Sequence, residues 1–181
     1  MTKILCHHLF YHFVNFKPKS HMKKVVTSLM VLLGITSLAA QVKVGDKAPA
    51  FRGEDQNGRV IDSKMLTGKK YVLYFYPKDN TPGCTSQACS FRDNFDELKE
   101  KGYSIIGVSA DSKKSHAKFS SEYNLPFPIL ADTAKTIIEK YGVKGLITKR
   151  KTFVINEKGV ITQIVEGVSA KEHPTQILNS K

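Results

Sequence analysis

Between residues 71 and 165 the chain alternates short, almost wholly apolar runs with longer stretches of helical periodicity. Tyr71–Tyr76 and Tyr103–Ser109 are apolar at nearly every position. That is the pattern of strands covered on both faces, not of strands with one wet face. A helical stretch from Pro82 to about Lys101 separates them and completes a βαβ unit. Asp111-Ser112 then predicts the cap of a second helix ending near Tyr123, Ile129–Ala131 a short strand, and Thr133–Tyr141 a helix stopped by Gly142. Two more strands, Thr152–Ile155 and Val160–Val165, flank Asn156-Glu157-Lys158-Gly159, a hairpin signal with glycine where a positive φ is needed. A final helix is expected over about Ala170–Leu178. Alternation that ends in a hairpin predicts an α/β fold with a mixed central sheet and helices on both faces.

The first 40 residues are not read as part of that fold. Met22-Lys23-Lys24, then apolar Val25 to Leu38, then Ala39-Ala40 have the basic, apolar and small-residue regions of a secretory signal peptide. Met22 is the expected true start, because residues 1–21 would make an unusually long basic region. The expected organisation is therefore a leader over 1–40, cut after Ala39 or Ala40, and one domain over 41–181. Such a chain is exported, to a periplasm-like space, with no stable membrane association once the leader is gone. The alternative is an uncleaved leader acting as an anchor, although the apolar stretch is short of the roughly 20 residues of a membrane span.

Removing the leader changes the charge. It holds five of the 28 basic residues and no acid, so the body keeps 23 against 16, a net charge of +7 rather than +12. The lysines are dispersed, and the aromatics sit inside the apolar strand patterns instead of beside basic clusters. A solvated surface is expected, not a nucleic-acid face.

Candidate chemistry lies at the start of the first long helix. Thr81 suits an N-cap and Pro82 the first helical position, which puts Cys84 at the third. There, free backbone N–H groups and the positive end of the helix dipole favour a thiolate. The other cysteines are Cys89, five positions on, and Cys6 in the leader. The Cys84/Cys89 spacing is that of neither a zinc ribbon nor a Cys-x-x-Cys redox site.

The segment Tyr74-Phe75-Tyr76-Pro77 through Thr81-Pro82-Gly83-Cys84-Thr85-Ser86-Gln87-Ala88-Cys89 resembles the active-site segment of peroxiredoxins, in the bacterioferritin comigratory protein branch. Further blocks resemble the family in the expected order: Gly107–Ser112, Leu125–Asp132, Tyr141–Val143 and Arg150–Asn156. The likeness runs from about Val44 to Leu178. It implies a thioredoxin-like fold and an atypical two-cysteine thiol peroxidase that needs no cofactor and no metal. Cys84 corresponds to the peroxidatic nucleophile, Cys89 to the resolving thiol, Thr81 to the hydroxyl that orients peroxide, and Pro77 to the residue that shields the thiolate. Arg150 corresponds to the cation that steadies the thiolate and hydrogen-bonds the peroxide, with Arg92 as a weaker alternative and His173 as a structural histidine. Hydrogen peroxide and alkyl hydroperoxides are the implied substrates, thioredoxin or a similar dithiol the implied reductant, and a monomer the implied state.

The implied Cys84–Cys89 disulfide carries a geometric condition. Residues five apart on an intact helix are separated by about 7.5 Å of rise and roughly 140° of rotation, beyond the usual disulfide Cα separation of about 4.4 to 6.8 Å. The helix must unwind locally in each cycle. Competing classes read less well. A disulfide oxidoreductase or metallochaperone calls for closer cysteines or well-placed histidines, and the body has only His116 and His173. A non-catalytic module with a structural disulfide conflicts with the helical spacing. A cysteine hydrolase lacks a histidine in a partner motif.

Overall fold

A computed structural model describes residues 41–180. The expected leader, with Cys6, Met22 and the cleavage point, lies outside the described residues. A five-stranded sheet has the order β5-β4-β3-β6-β7, built from β3 (Lys70–Phe75), β4 (Tyr103–Ser109), β5 (Ile129–Ala131), β6 (Lys151–Ile155) and β7 (Ile161–Val165). β3, β4 and β5 are mutually parallel, whereas β6 runs antiparallel to both β3 and β7. The expected mixed sheet is thus present. The hairpin between β6 and β7 turns at Gly159, φ +70°, and the Asn156 side chain accepts from the Lys158 and Val160 N–H groups.

The apolar run of β3 divides by parity. Tyr71, Leu73 and Phe75 enter one core with Phe51, Ile137, Ile138, Tyr141 and Phe153. Val72, Tyr74 and Tyr76 enter the other with Cys84, Phe91, Leu98, Phe119 and Ile177. Helices α1 (Pro82–Asp93), α2 (Phe95–Glu100), α3 (Lys113–Tyr123) and α5 (His173–Leu178) contribute to the second core. The short helix α4 (Thr136–Lys140) covers the first. Both faces of β3 are buried, which is why it carries no alternation of polar residues.

Several boundaries differ from the expectation. The helix expected over Pro82–Lys101 breaks at Asn94, where φ −104° and ψ 14° leave the helical region. Its side-chain amide bonds the Ser90 carbonyl, so a local side-chain contact competes with the helical ladder. α4 starts three residues late because buried Asp132 takes over as anchor, accepting from the Thr136 and Ile138 N–H groups at 2.9 and 2.8 Å. The last helix begins as a 3-10 turn, Ala170–Glu172, and becomes α-helical only at His173. Two strands, β1 (Arg52–Glu54) and β2 (Val60–Asp62), form a separate hairpin without an apolar pattern in the sequence. Buried Asp55 organises its turn by accepting from the Asn57 and Arg59 N–H groups.

Candidate active site

The site lies at the C-terminal end of β3, where the chain leaves the sheet through residues 76–81 and enters α1. Strand ends at which the sheet order reverses are where open α/β sheets place ligands. Here β4 lies on one side of β3 and β6 on the other.

Thr81 is the N-cap residue by position, with φ −97° and ψ 146°, and Pro82 opens the helix. Its side chain does not cap. The Thr81 hydroxyl donates to the Lys78 carbonyl at 3.0 Å instead, and no side-chain bond reaches the first helical turn. This corrects the expectation of a capping threonine: the tight loop offers its hydroxyl a nearer acceptor. Pro77 sits half-buried in the same loop.

Cys84 lies in the first turn of α1, 2% exposed. Arg150 Nη2 is 3.3 Å from its sulfur. The sheet explains the meeting. In the antiparallel β3–β6 pair Phe75 lies opposite Lys151 and Tyr74 opposite Thr152, so the start of β6 is brought beside the end of β3. Side chains alternate between faces. Lys151 shares the face of Phe75 and Phe153 and ends in an ion pair with Glu166 at 2.7 Å. Arg150, one residue earlier, falls on the Cys84 face. The parity of one strand therefore selects Arg150 from the run Lys149-Arg150-Lys151. Arg92 points elsewhere, donating to the Tyr123 carbonyl and pairing with Asp93.

The other half of the Arg150 fork, Nη1, donates to Gln87 Oε1. Gln87 is one helical turn beyond Cys84 and fully buried, and its Nε2 has no partner among the described residues. The sequence reading did not single it out; its i, i+3 relation to Cys84 was the available signal. Gly83 is the reason the guanidinium comes so near, since a Cβ there would stand 3.3 Å from Nη2.

Cys89 is on the same intact helix, half-buried, and both thiols are free. The site therefore brings Cys84, Arg150 and Gln87 together and leaves Cys89 on the body of the helix. His173 is buried near this group, with Nδ1 2.8 Å from the Thr152 hydroxyl and Nε2 without a partner among the described residues. Burial, and next the Arg150 charge, lower its pKa to about 4. Among the described residues, no group of three or more His, Cys, Asp or Glu side chains converges as a metal would require.

A buried cysteine sulfur on the first turn of a helix, facing a guanidinium, is suited to act as a nucleophile. The relatives of the chain agree. The profile of the AhpC/TSA family matches residues 44–164, more than half of the chain. A Coxiella burnetii protein assigned to peroxiredoxin bcp is 41% identical over 148 residues, covering 76% of this chain and 97% of that one. Chloroplastic peroxiredoxin Q of Sedum lineare is 40% identical, over 69% of each chain. Among solved structures, peroxidoxin BcpB of Mycobacterium tuberculosis superposes with a TM-score of 0.72 at 34% identity, over 76% of this chain and 95% of that one. The Xanthomonas campestris bacterioferritin comigratory protein, studied for its alkyl peroxide reduction activity, gives a TM-score of 0.67 at 29% identity, over 71% and 87%. These likenesses and the thioredoxin-like sheet show that the chain belongs to the AhpC/TSA family and is one of its peroxiredoxins, peroxidases that act through a cysteine thiol.

Proposed function

We propose that the chain reduces hydrogen peroxide and alkyl hydroperoxides by a two-cysteine cycle and serves in antioxidant defence. The observation that carries this reading is the Cys84 sulfur on the first turn of α1 with Arg150 Nη2 at 3.3 Å. The Cys84 thiolate attacks one oxygen of the peroxide. A sulfur–oxygen bond forms, the oxygen–oxygen bond breaks, and the leaving oxygen takes a proton to depart as water or an alcohol. Sulfur is oxidised by two electrons to a sulfenic acid. Arg150 stabilises the thiolate and donates to the peroxide oxygens as charge moves onto the leaving atom. Thr81 donates its own proton to Lys78, so its oxygen lone pairs remain to accept a peroxide O–H. Pro77, which has no N–H, shields the thiolate without competing as a donor.

Cys89 then attacks the sulfenic sulfur; a disulfide forms and water leaves. α1 must unwind between the two cysteines for this step. An external dithiol, thioredoxin or an equivalent, reduces the disulfide and is itself oxidised. The alkyl peroxide activity of the Xanthomonas campestris relative supports organic hydroperoxides as substrates here. The leader pattern of residues 22–40 supports export to a periplasm-like space, with a monomer as the working state.

Intact mass of the reduced chain after one equivalent of hydrogen peroxide tests the cycle. The parent should lose two hydrogens relative to its reduced form, and Cys89→Ser should gain one oxygen that dimedone traps. Sulfenic acid on Cys89 with Cys84 untouched would overturn the assignment.

A further inference from the structure

The loop that presents Pro77 and Thr81 is held by a buried hub. Asp79 is 5% exposed, and its carboxylate accepts from the Tyr76 hydroxyl at 2.7 Å on Oδ1. On Oδ2 it meets the Ser115 hydroxyl at 2.7 Å and His116 Nδ1 at 2.8 Å. Its backbone N–H donates to Asp111 Oδ2 at 2.8 Å, and Asp111 in turn accepts from the Ser109 hydroxyl. His116 is fully buried, and its Nε2 faces the Leu130 carbonyl at 3.2 Å. Each ring nitrogen thus lies within hydrogen-bond distance of an oxygen, one a carboxylate and the other a backbone carbonyl. Burial pushes the Asp79 carboxyl up. The hydrogen bond and charge of His116, with Tyr76 and Ser115, outweigh it and hold the group below its ordinary value.

The hub ties the loop to two elements of the fold. Tyr76 is the first loop residue after β3, Ser115 and His116 come from α3, and Leu130 from β5. Only Asn80 separates Asp79 from Thr81, and Asn80 is fixed at φ +54°, a conformation with little freedom to absorb movement. The Thr81 hydroxyl is itself tied to Lys78, the residue on the other side of Asp79. Position is therefore transmitted from His116 to Thr81 through a short and stiff path.

We propose that His116, through Asp79, is a positioning residue for the peroxide step: it holds the 76–81 loop so that the Thr81 oxygen orients peroxide against Cys84. This rests on the peroxidase reading above. A 1 Å error in such placement is costly because the reacting atoms must lie within near-attack distance. Alkylation of Cys84 by an uncharged reagent requires no such orientation, and the two reactions therefore separate positioning from general damage to the fold.

The test uses the full chain with Cys6→Ser and Cys89→Ser, leaving Cys84 as the single thiol. Second-order rate constants are measured with hydrogen peroxide and with iodoacetamide. His116→Gln keeps a donor for Leu130 and loses the one for Asp79; His116→Asn does the reverse. His116→Gln should slow the peroxide reaction about tenfold while iodoacetamide stays within about twofold, and His116→Asn should recover the peroxide rate to within about threefold of the parent. Ser115→Ala, which trims one half-buried hydroxyl from Asp79, should cost about threefold with peroxide alone. A His116→Gln chain that reacts at the parental rate overturns the proposal, as does an equal loss with both reagents. Should His116→Gln fail to fold, an unchanged peroxide rate in Ser115→Ala overturns it. A parent that reacts with peroxide no faster than a free thiol sinks the peroxidase reading itself, a result distinct from these.

Discussion

Arg150 holds Cys84 and Gln87 with the two arms of one guanidinium, Nη2 at 3.3 Å from the sulfur and Nη1 on the buried amide oxygen. The planar fork spans both partners because the nitrogens have fixed separation and direction. Gln87 thereby sets the angle at which the cation faces the sulfur, and both partners lie on α1. In the proposed cycle, unwinding α1 for disulfide formation would dismantle this arrangement at the same time, so that its two halves would use mutually exclusive conformations.

Lysine at position 150 keeps the charge and loses the fork. A single ammonium cannot bind Gln87 and stay aimed at the sulfur. Arg150→Lys is expected to slow peroxide consumption by the reduced chain at least about tenfold, read by stopped flow, with unaltered far-UV circular dichroism. A rate equal to the parent would show that charge alone suffices.

Gly83 offers a case in which stability and activity should move in opposite directions. Alanine is the better helix former by about 0.5–1 kcal/mol, which raises the urea midpoint. Its methyl would press on Nη2 from 3.3 Å and displace the guanidinium. Gly83→Ala should therefore be at least as stable as the parent and about threefold slower with peroxide. Equal rates would mean that the guanidinium moves aside without consequence.

The resolving step should respond to helix propensity. Ser86 lies on the exposed side of α1 between the two cysteines. Ser86→Ala favours the intact helix by about 0.5 kcal/mol, equivalent to about a twofold fall in the unwound population. Disulfide formation, followed by quenched-flow mass spectrometry, should slow by about that factor while peroxide consumption holds. Faster disulfide formation would contradict an unwinding step.

His173 predicts a pH dependence of stability. Its folded pKa of about 4 lies below the ordinary 6.5 because burial first, and Arg150 second, disfavour the cation. Between about pH 6.5 and 4 the unfolded chain binds a proton that the folded chain does not. The stability is complete above that window and falls as the pH drops through it. His173→Gln, which keeps a polar partner for Thr152, should lose less stability on acidification than the parent in urea titrations. Parallel losses would place the acid sensitivity elsewhere.

The sequence made the nucleophile visible because its signals are local: Thr81, Pro82 and Cys84 fall within four positions, and the apolar run before them marks a strand. The strands of the main sheet and its mixed character follow from the same kind of signal, whereas their order comes only from the structure. Arg150 was visible only by resemblance, since three basic residues are adjacent and the parity that selects among them comes from the pairing of β6 with β3. Gln87 carries only one local signal, its i, i+3 relation to Cys84, and nothing in the immediate neighbours of Asp79 and His116 marks them as a pair. Asp79 and His116 are 37 positions apart and meet only when α3 folds beside the loop. The β1–β2 hairpin was missed because three-residue strands organised by a buried aspartate carry no apolar period.

The proposed cycle stands or falls with Cys84 as the thiol that peroxide oxidises. Stopped-flow consumption of hydrogen peroxide by the reduced full chain, beside Cys84→Ser, tests it most directly. The parent should consume one equivalent rapidly, far faster than a free thiol, and Cys84→Ser none. Parental consumption at the rate of a free thiol, or rapid consumption that survives Cys84→Ser, would contradict it.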